Sequence, residues 1–82
     1  MNARDAIIKM VHNHRIIWNR LSGFVYKYED GEFTACYSSN VFDHRAYPPL
    51  NGDFYVVLWD KDNKKWRLAK KKSQPILNNT LP

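Results

Sequence analysis

The sequence predicts an α+β fold: one N-terminal helix laid across an antiparallel sheet of about four strands, arranged as two hairpins. Three observations carry this. Apolar residues recur at helical spacing from Ile7 to Leu21, Asp30-Gly31 separates two alternating segments, and Asp62-Asn63 separates two more. A small curled β-barrel plus helix is the alternative, because the strands are short and aromatic-rich.

The helix begins at Asn2, which is placed to act as N-cap with Asp5 at the third helical position, a capping box with Asp in place of Glu. Asp5 also sets negative charge at the positive end of the helix dipole. Ile7, Met10, Val11, His14, Ile17, Trp18 and Leu21 form one stripe at three- and four-residue spacing. Gly23 is a left-handed stop just beyond it. The spacing therefore predicts a helix over Ala3–Ser22, with Ile16 on its outer surface and Ile8 at the stripe's edge.

Phe24 to Ser38 reads as a hairpin. Asp30-Gly31 suits a two-residue turn, in which both positions need positive φ. That turn pairs Glu29 with Glu32, Tyr28 with Phe33, Tyr26 with Ala35 and Phe24 with Tyr37. Alternation then sorts Phe24, Tyr26, Tyr28, Phe33, Ala35 and Tyr37 onto one aromatic face. Seven stripe residues on the helix need a partner surface, and this face is the obvious one.

Ser39–Gly52, with Pro48-Pro49 and Asn51-Gly52, reads as a long loop. Asp53 to Trp59 and Lys65 to about Lys71 form the second hairpin. Centring it on Asp62-Asn63 sets Trp59 opposite Trp66, Asp60 opposite Lys65 and Val57 opposite Leu68. Tyr55, Val57, Trp59, Trp66 and Leu68 share one face, and Phe54, Val56, Leu58, Arg67, Ala69 and Lys71 the other. Both faces are apolar near the middle, which predicts a central strand from Phe54 to Leu58. The expected domain is 1–73, with 74–82 an extended, mobile tail.

A chain of 82 residues fits one domain with a small core. Its ring content, 15% of residues, is too high for a disordered protein. A single cysteine, Cys36, makes no internal disulfide and suits a reducing compartment. The longest apolar run, Phe54–Trp59, is far below the ~20 residues that span a bilayer. The N-terminus lacks the apolar stretch of a signal peptide. A cytoplasmic protein without membrane contact is therefore the expectation. Residues with AT-rich codons outnumber those with GC-rich ones, a composition common in phages and mobile elements.

Chemistry-bearing patterns are sparse. His12-Asn13-His14 matches the letters of the HNH nucleases, whose three residues come from separated segments. On a helix, residues two apart diverge by about 200°, so the two histidines share no metal. Asp43 and His44 are neighbours in an extended loop and point apart, so they make no relay with Cys36. The sequence has no phosphate loop, CxxC pair or nucleophile elbow. The reading is a non-catalytic protein with no cofactor.

Binding is where the sequence is informative. The stretch WDKDNKKWRLAKKK, residues 59–72, holds seven Lys or Arg against two Asp, a balance of +5 that equals the charge of the whole chain. Lys61, Lys64, Lys65, Arg67, Lys70, Lys71 and Lys72 supply cations, and Tyr55, Trp59 and Trp66 supply rings. One reading is a solubilising Lys-rich sheet edge. The leading reading is a phage- or mobile-element-type regulator or inhibitor that binds an acidic face of a host protein. The alternative is direct nucleic-acid binding, with phosphates on the cations and bases stacked on the rings. Ile16 and Ile8 on the outer helix face suggest a homodimer contact.

Overall fold

The computed structural model describes residues 1–37 and 39–69. The tail 74–82 and the three lysines 70–72 lie outside the described residues. Among those described, one helix, α1 (Ala3–Asn13), is followed by β1 (Ile17–Asn19), β2 (Val25–Glu29), β3 (Glu32–Cys36), β4 (His44–Arg45), β5 (Phe54–Asp60) and β6 (Lys65–Leu68). The strands form one antiparallel sheet in the order β4-β3-β2-β1-β5-β6. The α+β class holds, with six strands rather than about four, and the sheet is open rather than a closed barrel.

The start of the helix is as expected: the Asp5 amide donates to Asn2 Oδ1 at 2.8 Å. Its end is a correction. The helix stops at Asn13 because His14 takes the left-handed conformation (φ 54°, ψ 37°), and the Arg15 amide turns back to the Lys9 carbonyl at 3.1 Å. His14 is an exposed cap rather than a core-edge residue. Ile16-Ile17-Trp18 is a run of β-branched and aromatic residues with apolar neighbours on both sides, as a central strand requires.

In β1, Ile17 pairs with Tyr26 on one side and Val56 on the other, while Trp18 pairs with Val25 and Tyr55. Ile16 therefore does not lie on an outer helix face; it packs with Val25, Cys36 and Val57 on the opposite side of the sheet. Ile8 alone remains exposed on the helix. Gly23 keeps its positive φ, 81°, but closes the β1–β2 turn rather than a helix.

The first hairpin has the predicted register, with Tyr26 opposite Ala35, Tyr28 opposite Phe33 and Glu29 opposite Glu32. Its aromatic face meets the helix as expected: Ala6 and Met10 are buried with Ile17, Tyr26, Ala35 and Phe54. The second hairpin also has the predicted register, Trp59 opposite Trp66 and Val57 opposite Leu68, and β5 is an interior strand.

The segment Ser39–Gly52 differs from a plain loop, since His44 and Arg45 add an edge strand to β3. Before that strand, the chain crosses the face remote from the helix. Ser39 and Phe42 reach Trp66 of the far edge strand, and this closes a second small core over Val25, Cys36 and Val57. The sheet must curl for its two ends to meet through that segment. Met1 pairs with Phe54 through both backbone bonds, at 3.1 and 3.3 Å, in line with β6 along β5.

Candidate functional site

The β5–β6 hairpin extends past the helix. Eleven helical residues span about 16 Å, and α1 packs chiefly on β2 and β5. Side chains near the hairpin tip are thus left uncovered on the helix side. Leu58 is 54% exposed there, and Leu68 on the other face is 55% exposed. With Trp59, Asp60, Lys61 and Arg67 they line an open depression of about 510 Å³.

The described residues among those singled out from sequence are brought onto one hairpin but not onto one face. Tyr55 lies on the face remote from the helix, its ring 5.6 Å from that of Trp18. Trp59 and Trp66 share that face as a T-shaped pair at 5.1 Å. Trp66 is committed further: its Nε1 donates to the Ser39 carbonyl at 2.9 Å, and its ring lies 5.8 Å from Phe42. Lys65 and Arg67 project to the helix side by strand alternation. Lys61 and Lys64 sit in the tip turn, where Lys64 has φ 54°.

Asp60 organises the tip. Its carboxylate accepts from the Asp62 and Asn63 amides at 3.0 and 3.2 Å, from Asn63 Nδ2 at 2.8 Å, and from Arg67 Nη1 at 3.1 Å. Asn63 foremost, with the backbone donors and Arg67 behind it, holds this carboxyl below its ordinary range. One of the four described cations is therefore ion-paired inside the hairpin, while Lys61, Lys64 and Lys65 have no ion-pair partner among the described residues.

Leu58 and Leu68 were not counted as site residues from the sequence. The helix ends at Asn13, and Leu58 stays exposed beyond it. Elsewhere, Tyr47 and Leu50 are 84% and 81% exposed on either side of Pro48, which is buried.

Asp43 and His44, expected to point apart, approach each other instead, with His44 Nε2 3.6 Å from Asp43 Oδ1, and both line an open depression of about 510 Å³ with Cys36. Cys36 is buried, and its thiol donates to the Ser39 carbonyl at 2.9 Å. His44 pairs with Ala35 and so faces away from Cys36. Among the described residues no group of three His, Cys, Asp or Glu is placed to hold a metal ion, and no helix is long and apolar enough to cross a membrane. Comparison with protein families, curated proteins and solved structures gave no match.

Proposed function

We propose that this chain is a non-catalytic interaction protein that binds an acidic surface of another protein through the β5–β6 hairpin. The observation carrying this is that exposed Leu58 and Leu68, on the two faces of the hairpin, line one depression with Lys61 and Arg67, and that Lys65 is exposed on the same hairpin. An apolar centre with a charged rim is how protein interfaces are built. Nucleic acid offers leucines nothing to pack on comparable to a protein's apolar side chains. A regulator or inhibitor of phage or mobile-element type remains the role proposed, supported by composition.

Direct nucleic-acid binding is the second reading, favoured by the +5 charge of residues 59–72. Its weak point is stacking surface. Trp66 is held by Ser39 and Phe42, and Tyr55 packs on Trp18, so Trp59 is the ring left nearest the tip.

Two measurements test the choice. Titration with single- and double-stranded DNA and RNA is expected to give weak binding that vanishes at moderate salt, without tryptophan quenching. Micromolar or tighter binding at physiological salt, with a steep salt slope, would instead establish the nucleic-acid reading. A photoreactive residue at position 58, introduced in cells carrying the gene, is expected to cross-link to protein, and Lys61, Lys64 and Lys65→Ala together should abolish that product.

A further inference from the structure

Among the described residues the outer edge of β6 is open, and its orientation follows from the hydrogen bonding. The Ala69 amide donates to the Val56 carbonyl at 2.9 Å, bracketing the Leu68–Val57 pair. In an antiparallel ladder this makes Leu68–Val57 a wide pair, whose own N–H and C=O groups point away from each other. The same parity applies two residues earlier, to Trp66. The backbone groups of Trp66 and Leu68 therefore face outward from the sheet, and among the described residues nothing hydrogen-bonds to them. The outer edge of β5 itself is already filled, by β6 and then by Met1 at Phe54. On this side of the sheet the free edge among the described residues thus belongs to β6, the other edge strand being β4.

We propose that β6 is a docking edge for an extended acidic peptide segment of the partner, which joins the sheet as a further strand. This rests on the protein-binding reading of the hairpin and names the form of the ligand. Side-chain alternation sets its chemistry. On the helix side the added strand would lie beside Lys65, which favours carboxylates, and beside Arg67, which already holds Asp60. On the other side it would lie beside Trp66 and exposed Leu68, which favour apolar residues. The segment recognised is one in which acidic and apolar residues alternate.

Charge also decides against the commonest competitor. Pairing β6 with β6 of a second copy would bring Lys65 and Arg67 against the same cations. Basic edge residues of this kind block self-association; toward an acidic strand the same charges attract. The edge is selective because its charges repel cationic strands, attract acidic ones and give neutral strands no such attraction.

The probe is a blocked peptide of about nine residues alternating Glu and Val, long enough to span β6. It is compared with a Lys/Val peptide and with a Glu/Val peptide N-methylated along the edge that would face β6. With full-length protein, the Glu/Val peptide is expected to bind and to slow hydrogen exchange at the Trp66 and Leu68 amides. N-methylation should weaken it at least about tenfold, since it removes inter-strand bonds while keeping charge, and the Lys/Val peptide should not bind. Leu68→Pro removes an outward N–H at a position where an edge strand tolerates proline, and should weaken binding similarly.

Equal binding of the N-methylated peptide, or unchanged exchange at Trp66 and Leu68, overturns the strand mode. A cross-link from position 58 to protein would then still support the broader reading. Failure of both Glu peptides, together with cross-links only to nucleic acid, overturns both. Concentration-dependent dimerisation that protects the same two amides without peptide would show that a second copy occupies the edge.

Discussion

The Trp66 indole Nε1 donates to the Ser39 carbonyl at 2.9 Å, joining the edge strand β6 to the segment that leaves β3. The Cys36 thiol donates to the same oxygen at 2.9 Å. One carbonyl therefore gathers three parts of the chain over the second core, and Phe42 closes it from above Trp66, with the Lys27 ammonium 4.6 Å from the Phe42 ring centre.

Trp66→Phe should keep most of the packing and lose the hydrogen bond. A loss of about 0.5–1 kcal/mol is expected in urea unfolding. Trp66→Ala should cost more, because the ring also fills the space beside Val57 and Phe42. If both variants match the wild type, the Ser39 contact contributes nothing to stability.

Cys36 reports on the same cover. Burial pushes its thiol above the ordinary cysteine range, so little thiolate is present at neutral pH. Reaction with an aromatic disulfide reagent should be slow in the native protein, faster in Trp66→Ala, and fast in urea. A native rate equal to that in urea would mean that the Ser39–Phe42 segment does not shield the thiol.

His14→Gly tests the end of the helix by the sign of its effect. At φ 54° a glycine relieves a side-chain clash, so the substitution should stabilise by about 0.5–1 kcal/mol. A helix continuing to Ser22 would instead lose about 1 kcal/mol from an interior glycine. Urea midpoints decide between them.

Asn19 is fully buried and holds two turns together: it accepts from the Ser22 amide at 2.7 Å and donates to the Asn51 carbonyl at 3.1 Å. Asn19→Ala should cost about 1–3 kcal/mol by leaving those groups unpaired. Gly52 beside it has φ +90°, and a Cβ there would lie 2.8 Å from Leu21 Cβ. Gly52→Ala should therefore also destabilise, by about 1 kcal/mol or more.

Acid should loosen the hairpin tip before the core. The folded-state pKa of Asp60 is depressed, so its contribution is fully present above about pH 4 and is lost as pH falls through the lowered value. Amide exchange at Asp62 and Asn63 should quicken over that interval, relative to core amides. Asp60→Asn should show fast exchange there at every pH.

Much of the fold was legible because turn chemistry acts locally. Asp30-Gly31 and Asp62-Asn63 set which residues lie opposite one another, and strand alternation then assigns every side chain to a face. Those two hairpins, the helix start at Asn2 and the interior position of β5 follow from neighbouring residues alone. The candidate cations and rings among the described residues share one hairpin for the same reason, being close together in sequence.

What the tertiary structure decided is the use of Ile16-Ile17-Trp18. Ile17, Trp18 and Leu21 continue the helical spacing, and an apolar run between two buried faces has no period of its own to oppose it. Only the presence of β2 and β5 on either side, supplying hydrogen bonds to both edges of β1, makes the strand the better state. Leu58 stays exposed beyond the short helix that results, and the curl that brings Ser39 to Trp66 withdraws one predicted binding ring into a core. Local chain geometry specifies turns and faces; where a helix yields to a strand depends on partners that are distant in sequence and meet only in the folded sheet.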